Sequence, residues 1–274
     1  MPPFIPNKSI FPVSEHPALE ELQQLFKRWH RAILDNAPQL AERLVFDGFY
    51  PHYFSQRKRI LMIGQEPRNL AGSIPGDPNN YIDPLHYIDT LYQAIKIDKV
   101  VNQTKLNARK FESLLLKLSY SIQHSASDYK SLKKAEELAN TFADNSTPMS
   151  YSCAFMNLSK VSNNSANSNT DWKTVNQFLE ASRSHKNNFL MEQIQILNPH
   201  LIICMNPTSG KDNRIDYLGN VSNRRPLDKG NALWDYQLRD HSIPLIDTWH
   251  FTSRKSPEID IHNPIMSAIK QYGL

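Results

Sequence analysis

Two cysteines, Cys153 and Cys204, are all that the chain contains. Each sits inside an apolar run, so both read as buried free thiols, and a disulfide framework, a zinc site or an iron-sulfur cluster is not expected. Long apolar runs are missing too. Nothing approaches the roughly 20 residues that span a bilayer, and Met1-Pro2-Pro3-Phe4-Ile5-Pro6 lacks a basic segment leading into an apolar core. A soluble cytoplasmic protein without membrane contact is expected, in which sequons such as Asn157-Leu158-Ser159 carry no glycan. A strong excess of one charge is also absent. Lys and Arg number 31 against 27 Asp and Glu, a formal charge of +4 with a pI near 8.9, which permits a polyanionic partner without demanding one. No internal repeat is apparent.

What is present suits a sizeable core: 40% of the 274 residues are hydrophobic, among them 12 Phe, 11 Tyr and 4 Trp. After a proline-rich start, Leu22, Leu25, Phe26, Trp29, Ile33 and Leu40 recur at three- and four-residue steps, which predicts amphipathic helix over 17–44. An aromatic loop at 46–54 leads into Ile60-Leu61-Met62-Ile63-Gly64, too short and apolar for a helix and therefore a buried strand. Turn formers fill 72–80. Helical periodicity returns over 83–123 and 129–142, and 83–148 reads as a helical insertion. Residues 151–158 form a second strand, and 162–170 a low-complexity Asn/Ser loop. A helix capped by Thr170 runs to Pro199, 200–205 is a third strand, and 208–232 reads as a basic loop or a pair of turns. A fourth strand at 244–249 and a helix at 264–272 close the chain. The alternation predicts an α/β fold: one three-layer α/β/α sandwich spanning 1–274 around a central, mainly parallel, four-stranded sheet.

Parallel strands present their carboxyl ends on one edge, where open α/β sheets place their chemistry. Three of the four predicted strands end there in a polar group: Glu66, Asn157 and His250. Taken singly, each has an ordinary reading. Glu66 can cap a helix or pair with Arg68, Asn157 can form a turn, and His250 can be a structural histidine between Trp249 and Phe251.

Gly64-Gln65-Glu66-Pro67-Arg68 resembles the first signature of the uracil-DNA glycosylase superfamily, Gly-Gln-Asp-Pro-Tyr. Ala154-Phe155-Met156-Asn157-Leu158-Ser159-Lys160 is similar to that family's middle strand, and His250-Phe251-Thr252-Ser253-Arg254 stands at the place of its final His-Pro-Ser signature. Pro199-His200-Leu201-Ile202-Ile203-Cys204 resembles the strand after the family's Lys-Pro turn. The matches occur in family order. They imply that Glu66 aligns the attacking water, that His250 steadies the departing base, and that Gln65, Arg68 and Asn157 contact the flipped base. Tyr81 or Tyr87 would supply the aromatic platform. Lys160, Thr252, Ser253, Arg254 and Lys255, with Arg224 and Arg225, would meet DNA. No metal or cofactor is called for, and a monomer is expected.

The departures bear on specificity. Glu66 is one methylene longer than the usual Asp, and Arg68 replaces a tyrosine whose ring excludes substituents at pyrimidine C5. Phe251 replaces the proline, and Arg254 rather than leucine falls at the position that wedges into the helix. The expectation is a monofunctional DNA glycosylase that leaves an abasic site after removing a modified or damaged pyrimidine. A C5-modified cytosine of phage DNA, and hence a defence role, is one such substrate. The alternatives are a uracil-repair glycosylase, a DNA-binding module of the same fold without catalysis, and an unrelated hydrolase of small nucleosides.

Overall fold

The computed structural model describes residues 10–68, 88, 91–101, 103–163, 165, 169–183, 187–207 and 213–274. Tyr81, Tyr87, Lys211 and the 72–80 loop lie outside them.

The protein is α/β, built on a mixed, mainly parallel sheet. In chain order its elements are α1 (His16–Asn36), α2 (Pro38–Ala41), β1 (Gly48–Phe49), β2 (Ile60–Gly64), β3 (Val100–Val101), β4 (Thr104–Lys105), α3 (Lys110–His124), α4 (Ala135–Leu138) and β5 (Ala154–Asn157). There follow α5 (Trp172–Ala181), α6 (Phe189–Leu197), β6 (Leu201–Met205), β7 (Val221–Pro226), β8 (Ala232–Leu238), β9 (His241–Thr248) and α7 (Asn263–Tyr272). The main sheet has seven strands in the order β1-β5-β2-β6-β9-β8-β7, and β3 pairs only with β4.

The four expected strands are the parallel centre, β5-β2-β6-β9. The expectation of four strands in total fails at both edges. At one, β1 is two residues long and pairs antiparallel with β5, too short for any periodicity to show. At the other, β8 and β7 continue the sheet antiparallel from β9, so Val221–Pro226 of the expected basic loop is strand. The physical reason is exposure. Most of β7 faces water as Ser222-Asn223-Arg224-Pro226 and carries a register shift between Ser222 and Arg225, so an edge strand of polar residues gives no apolar signal.

All five residues of β2 and of β6 are buried. Successive side chains of a strand point to opposite faces, so both faces of the central strands are covered. One cover is α1 with α5 and α6, centred on Trp29, whose ring lies 5.5 Å from those of Phe178 and Phe189. The expected single helix after Thr170 is these two helices, α5 and α6, and the cap is Asp171, whose carboxylate accepts from the Thr174 amide. The other cover comes from 83–148. Leu114, Leu115, Leu116 and Leu118 of α3 join the one core cluster, and Tyr120 packs edge-on against Tyr151. The stretch expected as an insertion thus includes part of the crossover that parallel neighbours β2 and β5 require.

Among the four parallel strands, β2 comes first in sequence, β5 second on one side, and β6 and β9 follow on the other. The crossover direction reverses at β2 and β6, and a crevice at such a switch point, beyond the strands' carboxyl ends, is where ligands bind.

Candidate active site

Gly64 ends β2, so Gln65 and Glu66 follow directly at the carboxyl edge of the sheet, beside the switch point. Parallel pairing continues for two residues past the strands, with Leu158 N donating to Gly64 O (3.0 Å) and Ser159 N to Gln65 O (2.9 Å), so both chain turns are fixed together. The Glu66 side chain is only 3% exposed. Its Oε1 accepts from Asn163 Nδ2 at 2.8 Å, the Arg68 guanidinium at 3.2 Å and the Asp171 backbone amide at 3.4 Å. Oε2 has no hydrogen-bond partner among the described residues. Burial raises the Glu66 pKa above the ordinary carboxylate value; the Asn163 bond, the Arg68 charge and the Asp171 amide act against that rise. The amino end of α5 adds its partial positive charge on the same side.

His250 stands two residues beyond β9. The Thr252 amide donates to its Nδ1 (3.2 Å), with Thr252 Oγ1 2.7 Å from the same nitrogen. The ring proton therefore sits on Nε2. Burial first, and the positive charge of Arg68 second, push the imidazole pKa down to about 4. The ring is neutral at pH 7 and offers one N–H. Arg68 thus ties the two candidates together, bonded to Glu66 and felt at His250; its Nη2 also donates to Asn169 O at 2.6 Å.

Asn157, at the end of β5, is buried, 3% exposed. Both of its nitrogen atoms donate to Asp47: the backbone N–H to Oδ2 at 2.7 Å and Nδ2 to the same oxygen at 3.3 Å. Lys160, expected at a DNA phosphate, is placed otherwise. It is 0% exposed and ion-paired with Asp47, and it donates to Asn157 O at 2.8 Å. Its burial depresses its pKa while Asp47 opposes that. A fully buried ammonium cannot reach a phosphate, so Lys160 is a structural member of the site. Its partner, Asp47, lies in the aromatic loop, 113 residues away, where no local pattern marks it.

Of the remaining expected residues, Gln65 is buried and accepts from Thr170 Oγ1. Thr252, Arg254 and Lys255 are exposed, Lys255 with its ammonium 4.3 Å from the Trp249 ring centre. Ser253 is half-buried and its carbonyl accepts from Lys110. Arg224 is exposed over Trp234, whereas Arg225 is paired with Asp235.

Several site residues carried no readable signal. Asn163 and Asp171, which bond to Glu66, lie in or beside the Asn/Ser run, where composition suggested only a loop. Thr170 reads from its position ahead of Trp172 and Val175 as a helix cap, but its contact with Gln65 has no sign in the sequence. Phe111 and Lys110 open α3. The Phe111 ring lies 6.1 Å from His250, 5.8 Å from Phe251 and, edge-on, 5.5 Å from Phe155. Lys110 Nζ donates to the carbonyls of Ser253 and, at 2.5 Å, Lys255. The start of α3 therefore holds the loop that carries His250.

The chain matches no protein-family model and no curated protein. Among the described residues there is no group of His, Cys, Asp and Glu able to hold a metal ion, and no helix long and apolar enough to cross a membrane.

Proposed function

We propose that this protein is a monofunctional DNA glycosylase of the uracil-DNA glycosylase superfamily, a three-layer α/β/α sandwich that hydrolyses the N-glycosidic bond of a flipped, modified pyrimidine. The observation that carries this reading is the pairing, at one sheet edge, of a nearly buried carboxylate with a neutral imidazole of defined tautomer. Breaking an N-glycosidic bond builds positive charge on the sugar and negative charge on the base. A carboxylate beside the sugar and an N–H donor at the base oxygen both favour that transition state. Glu66 Oε2 is the atom left for the water that attacks C1′, and burial makes its carboxyl a stronger base than a solvated one. In this reading His250 Nε2–H hydrogen-bonds the base oxygen as the C1′–N1 electron pair leaves with the base. A donor of this kind contributes about 10²- to 10³-fold in rate.

The finer reading is a pyrimidine substituted at C5. Arg68 bonds to Glu66 and Asn169 where the resembled family has a ring against C5. Hypermodified cytosine of phage DNA is the substrate class this suits, which would make the protein a defence enzyme. Duplexes carrying uracil, hydroxymethyluracil, hydroxymethylcytosine or glucosylated hydroxymethylcytosine, read by alkaline strand cleavage, test it. Cleavage at the C5-substituted bases is expected. Cleavage at uracil alone would turn the reading to uracil repair, and DNA binding without cleavage anywhere would turn it to a non-catalytic module.

A further inference from the structure

We infer that Trp249 and Lys255 form a subsite for the nucleotide next to the excised one. Its unpaired base stacks on the indole and its phosphate pairs with the ammonium, so a single strand is the favoured form of the substrate. The inference rests on the glycosylase reading above and extends it to the neighbouring nucleotide.

Trp249 directly precedes His250, just beyond the carboxyl end of β9. A nucleotide held at the imidazole therefore has its neighbour beside the indole. Unlike Phe251, which is fully buried, Trp249 is only half-buried. Its ring is nonetheless fixed. Nε1–H donates to Lys229 O at 2.7 Å. Gly230 lies against the ring with a φ of +79°, and a Cβ there would come within 3.2 Å of Trp249 Cζ2, so the glycine lets the backbone close up to the indole. A platform already held in place loses little freedom when a base stacks on it.

The Lys255 ammonium stands 4.3 Å from the centre of that ring. Its backbone is anchored, because Lys110 Nζ donates to the carbonyls of Ser253 and Lys255. Its side chain is exposed and forms no ion pair among the described residues. An aromatic face beside an uncommitted cation is what single-stranded nucleic acid uses: the base stacks on the ring and the phosphate meets the charge.

The loop that follows points to the same form of substrate. Proteins that open a base step in a duplex commonly fill it with an apolar wedge. The 250–256 loop exposes none: Thr252, Arg254 and Lys255 are its exposed side chains, and its one apolar residue, Phe251, is 0% exposed. An already unpaired base costs least to extrude. In a duplex the neighbouring base is stacked and paired, and it has no face left for Trp249.

The test uses short single strands carrying one hydroxymethylcytosine, either fully flanked by bases or with the neighbouring base removed on the 5′ or the 3′ side, and the duplex of the intact strand. Dissociation constants, from fluorescence anisotropy, and single-turnover base release are measured for the full chain as wild type, Trp249→Ala and Trp249→Phe, with melting temperature as the folding control. Removing the neighbouring base on one side is expected to weaken wild-type binding on the order of 10-fold. Trp249→Ala should lose the same factor on the intact strand, and should match wild type within about twofold on the base-less strand and on the duplex. Trp249→Phe, which keeps an aromatic face, should retain most of the affinity. Lys255→Gln should lower the salt slope of single-strand binding by about 0.7. Base-less strands bound by wild type as tightly as intact ones would overturn the inference without recourse to any variant. Equal losses in Trp249→Ala on intact strand, base-less strand and duplex would overturn it too, and base release in either case would leave the glycosylase reading standing. Coupled losses of affinity without base release from any strand would uphold the subsite and overturn the glycosylase reading.

Discussion

Asn163 donates its side-chain amide to Glu66 Oε1 across 2.8 Å, from a position 97 residues further along the chain. That bond lowers the Glu66 pKa against the upward push of burial. Asn163→Ala should therefore let the carboxyl titrate higher. Since the reaction needs the ionised form, the acid limb of the kcat/KM profile should move to higher pH. A limb that stays in place would show that Glu66 is not the group titrating.

Arg68 acts on both candidates. Its charge lowers the pKa of Glu66 and of His250, so Arg68→Gln should raise both and narrow the acid side of the profile. Between pH 6.5 and 8 His250, pushed down to about 4, is already neutral and should add no titration of its own to the wild-type rate. His250→Ala should cost about 10²- to 10³-fold in single-turnover rate.

Stability should carry the same mark. The folded protein binds a proton at His250 only near pH 4, whereas the unfolded imidazole binds it below about 6.5. Stability from this group is therefore present above 6.5 and lost as pH falls through that window. Urea midpoints of wild type should decline more steeply from pH 6.5 to 4 than those of His250→Asn. Parallel declines would contradict the assignment.

The two kinds of basic residue should separate cleanly. Lys160→Met leaves Asp47 buried without its ion pair and should destabilise the fold by roughly 3–5 kcal/mol, measured by urea unfolding. Arg254→Ala should leave stability near wild type and reduce the salt slope of DNA binding by about one. A reduced slope with unchanged stability in Lys160→Met would contradict its placement.

The parallel centre was legible because Ile60-Leu61-Met62-Ile63 and Leu201-Ile202-Ile203-Cys204 are apolar runs too short for a helix, each closed by turn-forming residues. The polar ends of those strands followed from topology. The edge strands were not legible, since Gly48–Phe49 is too short and Val221–Pro226 too polar to show a pattern. Nor were the residues that hold the site. Asp47, Asn163 and Lys110 act through contacts made across 110, 97 and 143 residues of chain, and no local spacing encodes a contact of that range.

The central claim is that Glu66 and His250 together cleave an N-glycosidic bond, and free-base release tests it most directly. Duplex DNA containing hydroxymethylcytosine or its glucosylated form is incubated with wild type and with Glu66→Gln, and the released base and alkali-labile sites are both quantified. Wild type should release base in equal amount to alkali-labile sites, and Glu66→Gln should bind the same DNA while releasing it about 10²- to 10⁴-fold more slowly. Binding by both with base released by neither, or equal release by both, would contradict the account.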